Sequence, residues 1–120
     1  MITITTRVSA NTLARQIIET MNKGTIADWV IDGENDMTLA NVVWRNKSWM
    51  HIEKANAGER KLIISIIGPA NVYITNEIYA IYHSRFIEML LKNFDKKILR
   101  FDISSALTTG IDKCLNMQIR

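Results

Sequence analysis

Two histidines, one cysteine and a short run of carboxylates are the residues of this 120-residue chain whose types lend themselves to chemistry. His51 lies in a stretch that reads as a strand. Trp49 and Glu53 stand two residues to either side, so the three share one face. Such a face can orient an imidazole for acid–base work; it is equally an ordinary exposed strand face. His83 falls on a helical stretch one turn after Tyr79, and no neighbour at helical spacing is acidic or a second ligand. The run Asp32, Gly33, Glu34, Asn35, Asp36 places oxygen ligands at alternate positions, as a calcium loop does. The pattern then fails, with Met37 where the sharp-turn glycine belongs and Val43 where the bidentate glutamate belongs. A solvated hairpin turn accounts for it. Cys114 has no metal-spaced partner and cannot form an internal disulfide. No G-x-x-x-x-G-K, G-x-G-x-x-G or G-x-S-x-G pattern occurs. The sequence therefore assigns no catalytic residue, no metal ligand and no cofactor.

Recognition is better served than catalysis. Trp44, Arg45, Lys47, Trp49 and His51 fall within eight residues, and two indoles flank a basic loop. At a hairpin tip the indoles would form a cross-strand pair that stabilises the turn. Aromatics beside Arg and Lys can also anchor a protein interface or stack on bases. These five residues are the candidate binding site. A second series, Tyr79, Tyr82, His83, Arg85 and Phe86, reads mainly as core, with Tyr79 and His83 at the margin of a pocket near Arg85.

The elements that must position these side chains follow from periodicity. Residues 2–8 alternate as a strand. Ser9 offers a cap to a helix whose buried face is Ala10, Leu13, Ala14, Ile17, Ile18 and Met21. Gly24 suits a left-handed position just past its end. Strands are expected at 25–32, 38–44, 49–54 and 60–67, with a short helix from Thr38 the competing reading of the second, joined by turns at 33–37, 45–48 and 55–59. Gly68 and Pro69 stop this meander. Thr75 caps a second helix reaching Phe94, with Tyr82, Phe86, Met89 and Leu90 inward. Residues 98–103 alternate once more, and residues 104–120 read as an irregular C-terminal segment.

The order is β-α-β-β-β-β-α-β in a single domain, 1–120. It predicts an α+β two-layer sandwich, with two helices on one face of a mostly antiparallel sheet of about six strands. One strand does not fit that frame: residues 60–67 carry Leu62, Ile64 and Ile66 on one face and Ile63 and Ile67 on the other. A two-layer fold leaves one sheet face wet, so this strand calls for cover from the tail or from a partner. A second copy of the chain is the simplest partner, since two-fold dimers are the commonest oligomers.

Hydrophobic content of 48% suits one globular core. No apolar run is long enough to span a bilayer, and the alternating start lacks a signal-peptide core. A lone thiol fits a reducing compartment, so the expected location is cytoplasmic, with no membrane partner. The net charge of +3 permits nucleic acid without demanding it, because the basic residues are scattered. The expected function is a non-enzymatic protein-interaction module, with a homodimer as one form it can take, that binds a protein through a sheet face or the Trp-rich hairpin. The alternative is a nucleic-acid-binding module using the basic, Trp-flanked hairpin.

Overall fold

The computed structural model describes residues 1–70, 73–105, 107–108 and 110–114. The expected irregular C-terminal segment thus falls partly outside the described residues. The chain runs β1 (Ile2–Thr6), α1 (Ala10–Asn22), β2 (Trp29–Ile31), β3 (Met37–Leu39), β4 (Trp49–Ile52), β5 (Lys61–Ile67), α2 (Asn76–Phe94), a single 3-10 turn (Asp95–Lys97) and β6 (Ile98–Ile103). One antiparallel sheet holds six strands in the order β2-β3-β4-β5-β1-β6. Four strands pair with their sequence neighbours, and β1 is inserted between β5 and β6. This is the expected two-layer α+β arrangement.

Local chemistry explains where the helices begin and end. Ser9 Oγ accepts a hydrogen bond from the Thr12 amide at 3.2 Å, and Thr75 Oγ1 accepts one from the Ile78 amide at 3.1 Å. Each satisfies a first-turn donor that has no partner within the helix. Gly24 ends α1 with φ at 72°, where a side chain would be strained.

The core forms on one sheet face. Ile2 and Ile4 stand opposite Ile64 and Leu62, and Met50 stands opposite Ile66. All are fully buried, together with Leu13 and Ile17 from α1 and Tyr82, Phe86 and Leu90 from α2. Trp29 closes one end of this core. Its indole meets Tyr82 and Phe86 edge-on, with ring centroids 5.9 and 5.3 Å apart.

The opposite face of β5 carries Ile63, Ser65 and Ile67. Its cross-strand neighbours there are Glu53, His51 and Trp49 on the β4 side and Thr3 on β1. Ser65 is fully buried, and the two isoleucines are half-buried. The described part of the tail lies beside β5 in the plane of the sheet. Lys113 forms a parallel bridge to Ile67, donating to the Ile66 carbonyl and accepting from the Gly68 amide. It takes the place that β1 leaves vacant beyond Ile2.

β1 and β4 each end two residues before their alternation does, and two further strands are cut to three residues each. In β2 only residues 29–31 pair, because residues 25–28 turn to bring Ile26 into the core. Strand β3 ends at Leu39: the Ala40 amide still donates to the Asp28 carbonyl in the β2–β3 register, and Asn41 Oδ1 then takes the Val43 amide at 2.8 Å. An asparagine that bonds the backbone two residues on starts a turn rather than extending a strand. The loop expected at 45–48 is therefore longer, spanning 40–48.

Candidate functional site

The long loop between β3 and β4 is held by hydrogen bonds within its own backbone and to the core. The Trp44 and Arg45 amides both donate to the Asn41 carbonyl, and the Lys47 amide donates to the Trp44 carbonyl. Asn46 adopts φ of 60°, a left-handed conformation that asparagine tolerates. Its amide donates to Thr38 Oγ1 at 3.0 Å. Thr38 Oγ1 also lies 3.0 Å from the Tyr82 hydroxyl, which donates to the Trp44 carbonyl. Since Tyr82 has one proton and spends it on Trp44, Thr38 must donate to Tyr82. A hydrogen-bond chain thus runs from the loop backbone into the core of α2.

What this scaffold displays is apolar. Val42 is 94% exposed and Val43 63% exposed, at the outermost part of the loop. Arg45, Asn46 and Lys47 follow them, all exposed. Trp44 turns the other way. It is half-buried and lines a cleft of about 370 Å³ together with Trp29, Leu39, Arg85 and Met89. Trp49 sits in β4 opposite Ile67, on the open sheet face. The two indoles therefore do not meet as a pair across a hairpin tip. The early end of β3 takes Trp44 out of strand register with Trp49. Of the five candidate binding residues, Arg45 and Lys47 share the loop surface, Trp44 supports it from beneath, and Trp49 and His51 belong to the sheet face.

That face holds a second polar grouping. His51 Nδ1 lies 2.5 Å from Asp36 Oδ1, and its Nε2 lies 3.9 Å from Glu53 Oε2. Ser65 Oγ donates to the other Glu53 oxygen at 2.9 Å. The shared face of Trp49, His51 and Glu53 was legible from alternation alone. Asp36 and Ser65 enter it through strand register, which places residue 36 opposite 51 and residue 51 opposite 65. The imidazole is held between two carboxylates, and the one nearby hydroxyl is committed to Glu53. The acidic run around Asp36 forms the β2–β3 hairpin: Asp32 Oδ1 accepts the Glu34 and Asp36 amides. Among the described residues no group of three or more His, Cys, Asp or Glu could hold a metal ion.

A third grouping surrounds Met1. Its amino group lies 2.8 Å from the Tyr79 hydroxyl, 3.1 Å from His83 Nε2, 3.1 Å from Ser104 Oγ and 3.2 Å from Asp112 Oδ2. His83 Nδ1 donates to the Tyr79 carbonyl at 2.8 Å, so the neutral ring presents Nε2 as an acceptor to the amine. Burial, followed by the charge on Met1, lowers the His83 pKa to about 4. The Tyr79 and His83 rings stack with centroids 3.8 Å apart. Both line an apolar groove of about 440 Å³ between α2 and the end of β6, whose other walls include Ala80, Ile87 and Ile103. Arg85 is not part of it, lying instead on the Trp44 cleft. Cys114 packs against the core and approaches the Ile66 carbonyl; burial raises its pKa to about 11, which suppresses the reactive thiolate.

No family model, no curated protein and no solved structure matches the chain. Among the described residues, no helix is long and apolar enough to cross a membrane.

Proposed function

We propose that the protein is a non-enzymatic interaction module that docks on another protein through the β3–β4 loop. One observation carries this reading: Val42 and Val43 are displayed in solvent by a loop whose own backbone is fixed by hydrogen bonds and tied to Tyr82. A loop held in one shape loses little entropy on binding, so contacts made by its tip count towards affinity. Burying two valines contributes roughly 3 kcal/mol, about a hundredfold in affinity. Arg45 and Lys47 beside them suit a partner whose apolar pocket has an acidic rim.

Peptides selected from a random display library on the immobilised protein provide the test. Binders should combine apolar with acidic residues, and Val42→Asp/Val43→Asp should weaken them at least tenfold with an unchanged thermal midpoint. Binders indifferent to that double substitution would sink the proposal. The nucleic-acid alternative finds less support. Of its two candidate stacking residues, Trp44 is half-buried on the cleft and Trp49 lies on the sheet face, apart from the loop surface that carries Arg45 and Lys47.

A further inference from the structure

β6 is an edge strand, and the surface beside it is unusually apolar. Leu99 is 53% exposed and Ile103 51% exposed on the strand, and Leu91 is 52% exposed on α2. On that helix Ala80, Ser84, Ile87 and Leu91 recur at helical spacing and form one stripe. Its first three members border the groove that Ile103 closes from the strand side. α2 and β6 run antiparallel, since one turn joins Phe94 to Ile98 and Tyr79 bonds Ser104 at the other end. The stripe therefore follows the edge of β6 along its length.

Among the described residues, the backbone of that edge has no partner at Phe101 or Ile103. The Ser104 amide donates to the carbonyl of Met1, its opposite number in the β1 register. Alternate residues repeat this orientation, so Asp102 and Arg100 turn their amides and carbonyls to β1. Phe101 and Ile103 then turn theirs away from the sheet. Within β6 there is no proline or lysine; its edge is guarded by the bulge near Leu99 that accompanies the register shift between Thr5 and Thr6, and by one pair of opposite charges, Arg100 and Asp102.

We propose that β6 pairs antiparallel with β6 of a second copy about a two-fold axis at Phe101, with Arg100 of each copy opposite Asp102 of the other. The side-chain sequence is self-complementary about that point. Phe101 meets itself through the two outward hydrogen bonds it can form, and Leu99 of one copy meets Ile103 of the other. Arg100 and Asp102, both on the open sheet face, are exposed and 2.8 Å apart within one strand. Across the axis each gains the other copy's opposite charge. A centre one residue to either side would break these matches, setting like charge against like at Arg100 or at Asp102. Because the axis stands perpendicular to the sheet, both copies keep their helices on the same side. The stripes of Ala80, Ser84, Ile87 and Leu91 then face each other across the axis and bury the apolar surface that one copy leaves wet. This surface differs from the second face of β5, where the sequence placed the partner. The proposal concerns a different region from the β3–β4 loop and does not depend on it.

Light scattering across a dilution series tests it. The mass should rise from the 13.8 kDa of one chain towards twice that value as concentration approaches about 1 mM. Amide exchange at Phe101 and Ile103 should slow over the same range. Arg100→Glu should weaken association at least tenfold, and Arg100→Glu/Asp102→Arg should restore it. Ile103→Pro removes only an outward amide, so the fold should survive while pairing is lost; circular dichroism verifies the fold. A single-chain mass throughout, or a dimer that ignores these substitutions, overturns the proposal. Val42→Asp/Val43→Asp should leave the dimer intact, so failure of the loop reading and failure of this one are separable.

Discussion

His83 is the residue whose charge the fold most opposes. Burial and the neighbouring Met1 amine hold its pKa at about 4, whereas an unfolded histidine titrates near 6.5. The folded state thus resists a proton that the unfolded state accepts. Stability from this site is complete above about pH 6.5 and is lost as pH falls towards 4, at up to about 1.4 kcal/mol per pH unit. Urea unfolding between pH 7 and 5 should show this slope, and His83→Gln should flatten it. Equal slopes in both proteins would place the proton elsewhere. The ring's own resonances supply the control, since they report the protonation of His83 directly. None of this could be read from spacing. Tyr79 and His83 announce one helical turn, but Met1 joins them from 78 or more residues away, and Ser104 and Asp112 join them from the tail.

At the level of elements, the β3–β4 loop depends on a hydroxyl that the sequence reading put in the core. Tyr82 is buried, as its place in the helical stripe predicts, yet its phenol tip donates to the Trp44 carbonyl and accepts a hydrogen bond from Thr38. Tyr82→Phe keeps the ring against Trp29 and removes only that link. The expected cost is about 1–2 kcal/mol, the value of a buried hydrogen bond whose partner is left unsatisfied. Amide exchange at Asn46 and Val43 should quicken well before global unfolding. Binding through Val42 and Val43 should weaken as well, since the loop would no longer be preorganised. Unchanged exchange at Asn46 would remove Tyr82 as the anchor. Capped helices and the alternating strand β6 were legible because their signals are local: Ser9, Thr75 and Gly24 act within a few residues. The ends of β2 and β3 were not. Val42, Val43 and Trp44 have strong strand character, and a single asparagine at position 41, whose side chain takes the Val43 amide and whose carbonyl takes those of Trp44 and Arg45, overrides them. The candidate site was located by composition, but which of its side chains face outward was decided by that override. Periodicity pointed to Trp44, whereas the valines beside it are the ones displayed.

On the scale of the whole molecule, the two ends of the described chain close on each other through one carboxylate. Asp112 has no exposed side-chain surface. Its Oδ1 accepts the Ile66 amide at 3.0 Å, and its Oδ2 accepts the Thr108 amide at 2.7 Å and faces the Met1 amine at 3.2 Å. Ile66 lies beyond the point where β1 stops pairing with β5, so its outward amide has no strand to meet. The tail supplies the missing acceptor from a side chain, then continues with Lys113 as a strand would. One aspartate therefore joins β5, the tail and the start of β1, and its loss strands two backbone donors and a charge together. Asp112→Ala should cost about 2–4 kcal/mol by these losses. It should lower the urea midpoint without changing the slope of unfolding, and expose residues 104–114 to proteolysis before the rest of the chain. Asp112→Asn retains one acceptor oxygen and should recover part of the loss. A tail that stays protected in Asp112→Ala would mean that Leu107 and Cys114, which pack against the core, hold it without the clasp.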